Sequence, residues 1–107
     1  MDYLEYAEKA VTYLRDSEED YAMLKAAHQA DKERIKIVEA SQVLSSDAKS
    51  AALKEREAKD SEHYREAVDR WQESMEAFYL IEAKRKRAEL TIEMYRSVNS
   101  ALKRGNI

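Results

Sequence analysis

The densest run of like charge in the chain is Lys84, Arg85, Lys86 and Arg87, and Arg96, Lys103 and Arg104 follow it. Residues 84–107 hold seven bases against two acids, whereas residues 1–44 hold ten acids against six bases, so a net charge of -3 conceals a basic end. Lysine and arginine side chains can neutralise phosphates, and Tyr95 lies close enough in sequence to stack on a base. These seven bases are therefore the candidate nucleic-acid-binding residues. Four consecutive helical residues, however, point in directions about 100° apart, and only two of them can share a face. Internal pairing with acids is the competing reading of the same run.

The remaining chemistry-bearing residues lead nowhere comparable. A di-iron carboxylate bundle needs a Glu-x-x-His motif from each of two helices, and neither His28 nor His63 has a glutamate three residues before it. Asp60 stands at that spacing from His63, but an aspartate there suits a helix cap better. No metal ligand set is expected. The chain has no cysteine for thiolate chemistry and one glycine, too few for a phosphate-binding loop. Its serines show no strand-turn-helix elbow, and its many glutamates are ordinary residues of a solvated helix. The expectation is a protein that is not an enzyme, with no catalytic residues, cofactor or small-molecule substrate.

The elements that must position the basic run are helices. With no proline, a single glycine, 38% charged and 44% hydrophobic residues, 107 residues read as one all-α domain. Asp2 followed by Glu5 has the pattern of an N-cap and its capping-box partner. Leu4, Ala7, Val11, Leu14, Tyr21, Leu24, Ile35 and Val38 then recur at spacings of three and four, predicting a helix over about 3–44. Ser17 with Asp20 offers a second cap, so a break near Asp16 stays open. Ser45, Ser46 and Asp47 favour caps over helix interiors, and strong helix formers follow with Leu53 as the one large apolar side chain. They predict a short connecting helix over about 47–58 with little to bury. Asp60 and Ser61 repeat the capping signal before a third helix over about 61–104. That helix carries Tyr64, Val68, Trp71, Met75, Phe78, Ile81, Ala88, Ile92, Tyr95, Val98 and Leu102 on one face. Trp71 and Phe78, seven residues apart, fit a packed seam. Lys103 and Arg104 suit the negative end of its dipole, and Gly105 suits the C′ position.

Two long helices and a short connector predict an antiparallel hairpin. If it folds near residue 52 or 53, facing residue numbers total about 105. Leu14 then meets Ile92, Val11 meets Tyr95, Leu24 meets Ile81, Ile35 meets Trp71 and Val38 meets Val68. Residues 84–87 face Glu18, Glu19, Asp20 and Tyr21, so Arg85 and its neighbours are expected to pair with those acids. His28 and Asp31 fall opposite about residues 74–77, where Met75 and Ala77 offer no charge, and are expected to face solvent or a second subunit. Helices of about 40 residues are some 60 Å long, too thin as a pair to bury both stripes. A homodimer with a four-helix arrangement is the expected remedy.

The stretches YLRDSEEDYAMLKA at 13–26, EREAKDSEHYREA at 55–67 and AELTIEMYRSVNS at 88–100 resemble small helical proteins of tailed phages and prophages, often encoded among recombination and replication genes. The resemblance spans most of the chain and implies a genomic setting rather than a chemistry: an accessory role in phage DNA recombination or replication, beside a protein partner such as a single-strand annealing protein. Direct DNA binding through the basic C-terminal third is one alternative, and a protein-only adaptor or inhibitor of a host factor is another. No apolar run is long enough to span a bilayer, and MDYLEYAEKA lacks the regions of a signal peptide. A cytoplasmic location in the bacterial host is expected, with no membrane partner.

Overall fold

The computed structural model describes residues 2–105, and over them the protein is all-α. Four helices follow one another: α1 Tyr3–Asp16, α2 Glu18–Ser45, α3 Ala51–Asp60 and α4 Glu62–Gly105. Asp2 caps α1 as its sequence suggests, its Oδ1 accepting from the Glu5 amide at 2.8 Å. Ser61 caps α4 in the same way, accepting from the Tyr64 amide at 3.2 Å while its hydroxyl donates to the Ala58 carbonyl.

Three boundary expectations need correction. The helix expected over 3–44 is two helices that meet at Ser17. Ser17 does not start the second one by capping it: its hydroxyl donates back to the Tyr13 carbonyl at 2.6 Å, the side-chain-to-backbone bond that bends helices. The connecting helix begins at Ala51 rather than 47, because Ser50, not the Ser45–Asp47 cluster, is its N-cap, accepting from the Leu53 amide at 3.2 Å. Ser46 instead accepts from the Ala48 amide within the loop and donates to the Glu57 carboxylate of α3. Gly105 is the last residue of α4 and lacks the positive φ of a C′ glycine.

The chain forms two compact units. The first contains the residues up to Ala22 and those from Tyr79 on, so it packs α1 and the first turn of α2 against the later part of α4. The second contains Met23–Phe78, the rest of α2, all of α3 and the start of α4. In the second unit the rings of Trp71 and Phe78 stack on His28 with centroids 6.2 and 5.4 Å away. Asp31 reaches Arg70 at 3.9 Å, and Glu39 reaches Lys59 at 3.9 Å. Ascending residues of α2 thus meet descending residues of α4 and α3.

Burial reveals a stricter period than the apolar residues alone. Positions 7, 10, 14, 17, 21, 24, 28, 31, 35, 38 and 42 are all buried or half-buried, and so are 64, 67, 71, 74, 78, 81, 85, 88, 92, 95 and 99. Steps of three and four alternate without a slip, the seven-residue repeat of coiled-coil packing. Several of these positions hold polar residues: Ser17, His28 and Asp31 on one stripe, Arg85 on the other. Among the described residues the buried stripe positions are mostly small, namely Ala7, Ala10, Ser17, Ala67 and Ala88, with Phe78 the one large side chain, and Ala58 of α3 is buried beside them. Alanines let the helices approach closely. Large apolar side chains accordingly remain outside, Leu4, Val11, Met23, Ile37, Leu44 and Leu90 among them.

His28 and Asp31 therefore do not face away from the helix seam as expected. Asp31 has a side chain only 17% exposed, which its contact with Arg70 helps to offset. The expected register was about one turn off. Ser17 opposite Arg85 in the first unit and Asp31 opposite Arg70 in the second bring facing residue numbers to totals of 102 and 101 rather than about 105.

Candidate nucleic-acid interface

The seven bases singled out in the sequence do not form one patch. Arg85 is the structural member. It occupies a stripe position of α4 seven residues after Phe78, and its Nη1 donates to the Leu14 carbonyl at 2.8 Å and to Ser17 Oγ at 2.7 Å. The Leu14 carbonyl would be taken by the Glu18 amide in an unbroken helix, so Arg85 supplies a donor where α1 and α2 meet. Its guanidinium also lies 4.9 Å from the centroid of Tyr21, a cation-π contact. Among the described residues Arg85 makes no ion pair with Glu18, Glu19 or Asp20 of its own chain; a hydroxyl, a carbonyl and a ring take their place. Those acids fall on the exposed side of the first turn of α2, where they favour the positive end of its dipole.

Lys84 and Arg87 lie three residues apart on another face of α4, both exposed. They form one wall of an open groove of about 360 Å³, together with Thr91. The opposite wall is α1, which contributes Tyr6, Lys9 and Tyr13, and the buried Ala10 and Ala88 form the floor. No acid lines this groove. Among the described residues, Lys9, Lys84 and Arg87 make none of the ion pairs present.

The other bases lie elsewhere. Lys86 belongs to a separate concavity of about 290 Å³, which two acids, Glu82 and Glu89, line together with Tyr21 and Arg85. Arg96 edges an apolar groove of about 420 Å³, between Leu4, Ala7 and Val11 of α1 and Ile92 and Tyr95 of α4, with Glu8 also on its lining. Tyr95, the expected stacking partner of the basic run, is therefore turned to a different groove. Lys103 and Arg104 sit in the last turn of α4, and Arg104 Nε donates to the Ser100 carbonyl at 3.5 Å. Sixteen residues beyond Arg87, they are roughly 24 Å along the helix and outside the groove.

Lys9, Tyr6 and Tyr13 went unnoticed in the sequence because they lie in its acidic half. Their common face was nevertheless legible: 6, 9 and 13 are the spacings of one side of a helix. What could not be read was that this side borders Lys84 and Arg87.

Among the described residues no three histidine or acidic side chains gather as a metal-binding group, and no helix is long and apolar enough to cross a membrane. Comparison with protein-family models, curated proteins and solved structures yields no match.

Proposed function

We propose that the chain is a non-enzymatic helical hairpin that acts as a homodimer by binding another macromolecule, as an accessory to DNA recombination or replication of a tailed phage or prophage in the bacterial cytoplasm. The observation that carries the binding role is the distribution of apolar side chains. Alanines dominate the buried core while Leu4 and Val11 remain about half exposed beside Ile92 and Tyr95. An apolar groove edged by one acid, Glu8, and one base, Arg96, suits a second copy, whose own Arg96 and Glu8 would meet them across a two-fold axis. The DNA setting comes from the resemblance of residues 13–26, 55–67 and 88–100 to phage proteins.

Light scattering tests the assembly: it should give twice the 12.5 kDa chain mass, and Val11→Asp should return the single-chain mass. A concentration-independent monomer would remove the dimer. For the setting, tagged protein from infected or lysogenic cells should co-purify with a protein of DNA metabolism. A host factor outside DNA metabolism would favour the adaptor or inhibitor reading instead. The acid-free groove between α1 and α4 favours a second reading, direct contact with DNA.

A further inference from the structure

We infer that the groove bounded by Tyr6, Lys9, Tyr13, Lys84 and Arg87 is a binding site for a short stretch of single-stranded nucleic acid. The inference rests on the second reading above, direct DNA contact, and assigns it to one face and one class of ligand.

An unpaired surface base is ordinarily a solvated one, so three of them are not a site by themselves. Two further features distinguish this groove. The first is the absence of acids from its lining in a chain with 22 acidic against 19 basic residues. The adjacent concavity around Lys86 shows the ordinary arrangement, with Glu82 and Glu89 beside the bases. The second is the pair of tyrosines. Tyr6 and Tyr13 are seven residues apart, two turns along the same face of α1, or about 10.5 Å. Tyr6 is 49% exposed and Tyr13 half-buried, so each has surface to offer a ligand.

Charge complementarity selects a polyanion, and the rings select one whose π-faces are accessible. In a duplex the bases stack on one another and present edges, leaving the tyrosines nothing to stack on. A single strand presents both phosphates and base faces, the combination that basic grooves with aromatic platforms recognise. The short wall limits the contact to a few nucleotides per chain. An acidic peptide would satisfy the charges without using the rings.

The test is fluorescence anisotropy of a labelled twelve-nucleotide oligo(dT) between 50 and 200 mM salt, with an unlabelled duplex of equal length and a polyglutamate peptide as competitors. Three bases should give a slope of log affinity against log salt of about -2, from roughly 0.7 per phosphate contact on a single strand. Replacing both Lys84→Gln and Arg87→Gln should bring the slope to about -0.7 and weaken binding. Tyr6→Ala should weaken binding about tenfold with the slope unchanged, as expected for a lost stacking platform. Lys86→Gln, outside the groove, should leave both unchanged. Circular dichroism and urea midpoints equal to those of the parent protein establish that each variant is folded. Binding by the parent that none of the groove variants alters would overturn this site while leaving direct DNA contact standing. No binding by the parent would sink both. Displacement by polyglutamate or the duplex at concentrations as low as those of unlabelled oligo(dT) would reassign the groove and overturn the single-strand inference.

Discussion

Arg85→Ala should destabilise the protein by about 2 to 4 kcal/mol. The side chain donates from one nitrogen to both Leu14 O and Ser17 Oγ, at 2.8 and 2.7 Å. Hydrogen bonds involving a charged group contribute about 1.5 to 3 kcal/mol, and because the two share one donor and a half-buried site, they are counted here as one such contribution. Contact with the Tyr21 ring adds about 0.5 to 1 kcal/mol. For a chain of this size the loss corresponds to a fall in melting temperature on the order of 10 °C. Urea unfolding monitored by circular dichroism at 222 nm measures it, and Lys86→Ala, an exposed neighbour, should stay within about 0.5 kcal/mol of the parent. Salt discriminates between mechanisms. A pair between Arg85 and exposed acids would weaken as salt screens it, and the cost of the substitution would shrink. Bonds to a carbonyl and a hydroxyl are less sensitive, so the cost should persist in 1 M salt. Ser17→Ala supplies the second edge of a double-mutant cycle, and the coupling with Arg85 should be about 1 kcal/mol. An Arg85→Ala variant as stable as Lys86→Ala, or a cost that vanishes in high salt, would refute the role of this guanidinium at the junction of α1 and α2.

Two further substitutions probe the seam and the connector by chemical denaturation. Leu53→Ala should cost less than about 1 kcal/mol, because Leu53 is 48% exposed on α3, whereas Trp71→Ala should cost about 3 kcal/mol by removing the ring stacked on His28; equal losses would mean that the connector is core. Asp31→Leu should leave stability unchanged or raise it by about 1 kcal/mol, since a stripe position regains an apolar side chain while Arg70, 63% exposed, keeps its water; a loss above 1 kcal/mol would show the Asp31–Arg70 contact to be a net stabiliser.

The amino-acid sequence determined what is local. Helix content follows from the near absence of glycine and proline, and the Asp2 and Ser61 caps follow from short-range bonds between a side chain and an amide three residues on. The weak connector was legible too, since α3 offers Leu53 and alanines where a buried helix would carry several large residues. Apolar spacing exposed much of each stripe but not its polar members. Ser17, His28, Asp31 and Arg85 look like surface residues by type, and only their neighbours across the seam make them internal. Tertiary structure alone decided the register, because a shift of about one turn keeps apolar stripes in contact while exchanging every specific partner. That shift set Arg85 beside Ser17 instead of Asp20 and left the acids of α2 on the outside. It also brought Tyr6, Lys9 and Tyr13, from the acidic part of the sequence, to the same groove as Lys84 and Arg87. Residue type and helical period fix which side chains share a face of one helix; which two faces meet depends on packing between residues distant in sequence.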